Sequence, residues 1–485
     1  MYVIGLDIGT TGAKALLVQE DGKILSKGYR GYGLISDGRK IEQRAEDWSE
    51  AGAAAIHEAL EGFNPILVKA ISLSTQGSST VAIDGNGRTI GNSLTWMDSR
   101  STAEADYIED KLGGDYIYHT SGWRITATHD AAKIRYMKSC DKYADAKLFL
   151  STLDFMNLYL TGNPIIDPTN ASMRQLFNIE TNDWDEGLMN ASNVTRDELP
   201  LSLPTGGFVG GLTGQAAKDL GLAAGTPVFN GAHDQYCASI GAGAVSKGDM
   251  LLSAGTTWVV MGIGDKPLFT KSFIAPGKHP VDDYYGAIAS LTCSGGSLQW
   301  FKNEFISEDF KEIDSKVLTR RDKTKELFYY PYLTGINYPD WNFSAKGAFT
   351  GLGLEHDRFD LARAIMEGVA FGVKRALLDY SENGYIVQKM KLIGGAAKSR
   401  TWCQIIASVT GIDIEVNDES DACALGAAMI AAKSIGLFTD YHDAARKMVG
   451  IKEVFKADSE DQKFFEDKYR NYQTMWQYMS KYYEK

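Results

Sequence analysis

Two segments about half a chain apart offer the same chemistry. Asp7 ends the apolar run Val3-Ile4-Gly5-Leu6 and is followed by Gly9-Thr10-Thr11-Gly12. Met250-Leu251-Leu252-Ser253 leads into Ala254-Gly255-Thr256-Thr257. The N–H groups of a glycine turn and threonine hydroxyls meet phosphate oxygens, and a carboxylate at a strand end holds Mg²⁺ through water. Alone, Asp7 reads as a turn cap of the kind common before glycine. Two Gly-Thr-Thr turns suggest two clamps on one polyphosphate.

Other candidates stand where further apolar runs end. Gly231-Ala232-His233 leads to Asp234, which opens the segment Gln235-Tyr236-Cys237-Ala238-Ser239. At a helix start Asp234 is either a cap or a general base, kept ionised by the helix dipole, for a hydroxyl attacking a phosphoryl group. His233 is set aside, a lone histidine being more often structural. Gly394-Gly395-Ala396-Ala397-Lys398-Ser399 follows Leu392-Ile393. Its glycines let backbone approach a flat ligand such as a purine, and Ser399 caps the next helix. Gln76 and Ser78 lie between two strands, and Trp96, Asp98 and Arg100 follow Leu94. These side chains suit a polyhydroxylated ligand, or a solvated loop with an ion pair.

The elements that must position these residues alternate. The chain opens strand, turn, strand, turn, strand, with Asp21-Gly22 as the second turn. Helices are predicted over 47–60, 131–137, 153–160, 361–378, 400–409 and 422–432, and strands over 68–73, 81–83, 227–229 and 390–393. The alternation argues for an α/β class. The echoed turns argue for two related domains facing each other, 1–244 and 245–485. Phe465, Tyr469, Tyr472, Trp476, Met479 and Tyr483 recur at helical spacing and predict a terminal amphipathic helix docked on the second domain. A homodimer contact is the alternative use of that face.

Composition narrows the partners. The chain has 485 residues, 44% apolar and 23% charged, the balance of a soluble globular protein of two or three domains. Its charge, 50 − 62 = −12, disfavours nucleic acid and anionic membranes and leaves small metabolites. Five dispersed cysteines without a CxxC pair argue against disulfides and structural zinc. No signal peptide and no run of about 18 apolar residues is seen, so a cytoplasmic location is expected.

Together these stretches resemble the FGGY family of carbohydrate kinases over nearly the whole chain. The matching segments are 5–12, 96–100, 231–235, 253–257 and 394–396. Most specific is Gly347-Ala348-Phe349-Thr350-Gly351-Leu352 followed by residues 360–367, which resembles the family's C-terminal signature. The resemblance implies two ribonuclease-H-like, actin-like ATPase domains with an interdomain cleft, and transfer of the ATP γ-phosphate to a sugar or polyol hydroxyl. It implies Asp234 as catalytic base and Asp7 as the magnesium-associated carboxylate. Thr10, Thr11, Gly255 and Thr256 would contact phosphates, and Gly394 and Gly395 adenosine. Gln76, Trp96, Asp98 and Gln235 would lie near the sugar.

The chain departs from the family's best-known patterns at Gln76-Gly77-Ser78-Ser79, where glycerol kinases carry Arg-Glu and xylulose kinases Met-His after the glutamine. Small residues there suit a pentulose, a ketohexose or a longer polyol. The 96–100 segment is xylulose-kinase-like, so a ketopentose such as xylulose is expected, with a polyol or sugar acid as alternatives. Residues 332–339 also depart, lacking the charged residue many relatives have before the proline. A regulatory or chaperone-like ATPase on the same fold would make no use of the polar loop around Trp96 or the placement of Asp234. A nicotinamide dehydrogenase would need GxGxxG opening a helix, which the first 30 residues lack.

Overall fold

The computed structural model describes residues 1–483. Two large sheets organise it. The first contains β1 (Tyr2–Ile8), β2 (Gly12–Gln19), β3 (Ile24–Gly31), β4 (Val68–Thr75), β5 (Phe208–Gly211) and β6 (Pro227–His233), in the order β5-β6-β4-β1-β2-β3. The second contains β7 (Asp249–Ala254), β8 (Trp258–Gly264), β9 (Ala275–Lys278), β10 (Tyr285–Leu291), β11 (Lys389–Gly394), β12 (Ile414–Asn417) and β13 (Ile451–Phe455), in the order β9-β10-β8-β7-β11-β12-β13.

Both sheets follow one plan. A meander of three antiparallel strands (β1-β2-β3, and β7-β8-β10) is extended by a strand parallel to the first (β4, and β11) and another parallel strand beyond it (β6, and β12). This is the ribonuclease-H-like arrangement, present twice, and the pair is the actin-like ATPase fold. Parallel neighbours require crossovers, and helices supply them.

The principal helices are α1 (Ala45–Leu60), α2 (Asp130–Lys138), α3 (Asp234–Gly241), α4 (Ser294–Phe305), α5 (Arg358–Glu382), α6 (Arg400–Thr410), α7 (Ala422–Ser434) and α8 (Ser459–Tyr483). Each helix read from periodicity is present, extended by a residue or more at one or both ends. On α8 the predicted face does dock: Phe465, Tyr469 and Tyr472 are buried, and Tyr472 stacks on Tyr330 with ring centroids 4.5 Å apart.

The two halves meet backbone to backbone. A Cβ added to Gly5 of β1 would stand 2.0 Å from the Ala424 carbonyl oxygen of α7, and one on Gly426 of α7 would stand 1.9 Å from that of Cys237 in α3. Glycine is the residue that lets α3, α7 and β1 cross this closely. A shared apolar core continues the contact, joining Val3, Leu16 and Ile240 to Leu251, Leu425 and Met429. At the edge of the seam Lys14 of β2 pairs with Asp421 at 2.9 Å, just before α7. No described helix is long and apolar enough to cross a membrane.

Candidate active site

Parallel strands gather ligand-binding residues at their carboxyl ends. In the first sheet Asp7, Gln76 and Asp234 stand at or just beyond the carboxyl ends of β1, β4 and β6, which are neighbours in register: Asp7 lies opposite Ser74, and His233 opposite Thr75. In the second sheet β7 and β11 end together, with Ala254 opposite Gly394. Gly255-Thr256 and Gly394-Gly395 therefore emerge side by side, all exposed. Gly394 holds φ +91°, and a Cβ there would lie 2.7 Å from the Ala254 carbonyl oxygen, so glycine is required on two counts.

Asp7 is buried, and Ser74 Oγ donates to its Oδ1 at 2.7 Å. Burial pushes its carboxyl up to about 7, Asp234 adds repulsion, and Lys14 pulls the other way. A carboxyl held at that cost, in the field of a second carboxylate at the same sheet edge, fits a site that receives a cation. Among the described residues no three His, Cys, Asp or Glu form a cage, so a metal here would depend on water and phosphate oxygens as well.

Asp234 is the first residue of α3 rather than its cap, and its side chain is 27% exposed. Its Oδ1 lies 3.1 Å from His233 Nε2 and accepts from Gln235 Nε2 at 3.2 Å. His233 is buried, and its Nδ1 has no hydrogen-bond partner. Sequence reasoning had left this ring aside; its adjacency to Asp234 was its only signal.

A chain of amides joins the first turn to the loop after β4. Gln43 Nε2 donates to the Thr10 carbonyl at 2.7 Å, and Gln43 Oε1 accepts from Gln76 Nε2 at 2.8 Å and Trp48 Nε1 at 3.1 Å. Gln76 Oε1 and Gln235 Oε1 are buried without partners, acceptors fitted to hydroxyl donors. Trp96 is 40% exposed, and its Nε1 donates to Thr10 Oγ1 at 3.0 Å. Gln43, like His233, was not read from sequence.

Asp98 is placed differently from the expectation of a sugar contact. It is fully buried, and its oxygens are taken by Arg100 (Nη2 at 2.6 Å) and by the Ile41 N–H at 2.9 Å. Arg100 also pairs with Glu42 at 2.6 Å. Asp98 thus fastens its loop to the strand carrying Ile41 and Glu42. The ion pair allowed by the sequence is present, but inside the protein.

The small residues after Gln76 have a spatial reason. A Cβ on Gly77 would meet Met173 Sδ at 2.7 Å and His233 Cδ2 at 2.9 Å. In the second sheet Gly295 and Gly296 were also missed. Gly296 N–H donates to the Thr256 carbonyl at 3.0 Å, and a Cβ on Gly295 would lie 2.2 Å from the Gly255 carbonyl oxygen, so the start of α4 buttresses the Gly255-Thr256 turn. The glycine pair within Ser294-Gly295-Gly296-Ser297 was the signal available. In the departing 332–339 segment, Tyr338 is buried with its hydroxyl on Asp379 at 2.7 Å.

A doubled ribonuclease-H-like fold with carboxylates at the strand ends of one half and glycine turns at those of the other fits an ATP-dependent phosphotransferase. The N-terminal domain of the FGGY family of carbohydrate kinases matches residues 2–241, and its C-terminal domain matches 250–435. The chain belongs to this family and carries out ATP-dependent phosphorylation of a sugar. It is 27% identical over 481 residues to the xylulose kinase of Staphylococcus epidermidis, covering 98% of this chain and 96% of that one. It is 27% identical over 469 residues to the gluconokinase of Bacillus subtilis, covering 93% and 90%. Its fold matches the crystal structure of the xylulose kinase of Lactobacillus acidophilus with a TM-score of 0.94 at 22% identity, over 100% of this chain and 99% of that one.

Proposed function

We propose that this kinase phosphorylates a ketose, most closely a ketopentose such as xylulose, with Asp234 as general base. The observation that carries the reading is Asp234 itself: a partly exposed carboxylate at a helix N-terminus, two strands across the same sheet edge from the buried Asp7. Asp234 would take the hydroxyl proton as that oxygen attacks the γ-phosphorus and the bond to the β-phosphate oxygen breaks. Thr10, Thr11, Gly255 and Thr256 would hold the phosphates, and Gly394 and Gly395 the adenosine. Mg²⁺, held through Asp7, would neutralise charge on the phosphates.

Gln76, Gln235 and Trp96 would line the acceptor pocket in a domain spanning 1–244, with the nucleotide on the domain from 245 onward. An uncharged acceptor is favoured over a sugar acid because the Arg100 guanidinium is committed to Asp98 and Glu42.

The test is ADP release from the purified protein with Mg·ATP against ketopentoses, ketohexoses, polyols and sugar acids. A ketopentose is expected to give the largest kcat/KM, and Asp234→Ala to abolish the sugar-dependent signal while ATP still binds. Preference for gluconate would overturn the ketose assignment, and near-normal turnover by the variant would overturn the role of Asp234.

A further inference from the structure

Lys133 of α2 is fully buried, yet among the described residues its ammonium meets no carboxylate within ion-pair distance. Its three protons go to three backbone carbonyls instead: Ser78 at 2.7 Å, Thr95 at 2.6 Å and Thr128 at 2.6 Å. The nearby acids are engaged elsewhere, Asp130 with Arg174 at 2.7 Å and Asp98 with Arg100. Burying an ammonium is costly, and charge-assisted bonds to carbonyls offset the cost only while all three are kept in place.

The three carbonyls belong to different segments. Ser78 lies in the loop after Gln76 and holds φ +49°, a conformation strained for a residue with a Cβ. Thr95 precedes Trp96, whose indole reaches Thr10. Thr128 precedes His129, which is buried and packs on Trp123. No side chain on these loops supplies the same cross-link, because Ser78 Oγ donates to the Met173 carbonyl and Thr95 Oγ1 to that of Ile41.

We infer that Lys133 is a positioning residue that clamps the 76–79 and 95–98 loops into one acceptor pocket. It touches neither substrate; it fixes the carbonyls around which Gln76 and Trp96 are presented. This rests on the assignment of those two residues to the sugar side of the cleft.

Titration offers a readout that bulk loss of structure does not give. Burial brings the Lys133 ammonium down to about 8, against the pull of Asp130 and Asp98 and with the push of Arg100. His129, the other titratable group beside it, is held neutral down to about pH 3 by burial and by Lys133 itself. Above about pH 8 the neutral amine has two protons for three carbonyls, so the clamp loosens.

The test compares wild type with Lys133→Met, and with Lys133→Gln should the first not fold. Hydrogen exchange should quicken by about tenfold or more at amides of 76–80 and 94–98, while 8–12 and 253–257 stay unchanged. With the fastest sugar of the acceptor panel, KM for the sugar should rise by about tenfold or more while KM for ATP holds within about twofold. Sugar KM of the wild type should climb above about pH 8 and that of the variant should not. Unchanged loops, exchange quickened throughout the domain, equal rises in both KM values, or a flat wild-type profile would each overturn the inference. A wild type that phosphorylates no sugar refutes the proposed function instead, and leaves the exchange measurement to judge Lys133.

Discussion

His233 Nε2 lies 3.1 Å from Asp234 Oδ1, at the junction of β6 and α3. The backbone N–H of His233 donates to Thr169 Oγ1 at 2.8 Å, so the ring's root is fixed and the ring in turn limits the rotation of the carboxylate. His233→Ala is expected to lower kcat by about tenfold to a hundredfold through a wandering base, with KM for ATP unchanged. His233→Asn, which keeps an N–H donor, should recover part of the loss. Steady-state ADP release checks both, and a full-rate alanine variant refutes the restraint.

Gly77 gives a second expectation. Alanine there would press on Met173 Sδ and the His233 ring. Overpacking of this kind costs about 1–3 kcal/mol and should reduce kcat/KM for the sugar by displacing His233. Met173→Ala in the same chain should restore much of the lost activity, since the thioether is the nearer obstruction. A double variant no better than Gly77→Ala would show that the ring, and not the methionine, sets the limit.

The seam between the halves is tested by stability. Gly5→Ala and Gly426→Ala each drive a methyl into backbone at about 2 Å, which no rotamer relieves. Each should cost about 3 kcal/mol or more in urea unfolding. Gly214→Ala, at an exposed position in the first turn of the helix Gly214–Leu220 with open space around its Cβ, should be neutral or slightly stabilising.

Acid should destabilise the fold through its buried histidines. His129 and His279 are both held down to about 3 by burial, with Lys133 adding to the effect at His129. The unfolded chain takes up these protons near pH 6.5, so the stability they contribute is present above that value and is lost as pH falls toward about 3. Asp154, raised to about 6 chiefly by burial, works in the opposite sense. Comparison with a variant isolates one histidine: His279→Gln should lose about 2 kcal/mol less than wild type between pH 7 and pH 4.5. Parallel pH–stability curves would refute this.

What the sequence revealed followed the range of the interactions involved. The Gly-Thr-Thr turns, the strand ending at Asp7 and the start of α3 are set by neighbours a few residues apart, and composition exposes them. The buried face of α8 was legible because Phe465, Tyr469 and Tyr472 repeat at helical spacing. Asp98 was legible only in part: its pairing with Arg100 is two residues away, but the Ile41 N–H that ties it into the interior is 57 residues away. Gln43 and Lys133 look ordinary locally and acquire their roles only when sheet and loops bring Thr10, Gln76, Ser78 and Thr95 to them. His233 was legible as a neighbour of Asp234 but not as its restraint.

The glycine crossing of β1, α3 and α7 also constrains how the molecule can move. Where main chain rests directly on main chain, no long side chain is available to bend or slide. Any relative travel of the lobes must then be a swing about this contact, like a pair of tongs about its rivet, with the smallest displacement at the floor and the largest at the rim. Asp7, two residues along β1 from Gly5, would barely shift during such a stroke.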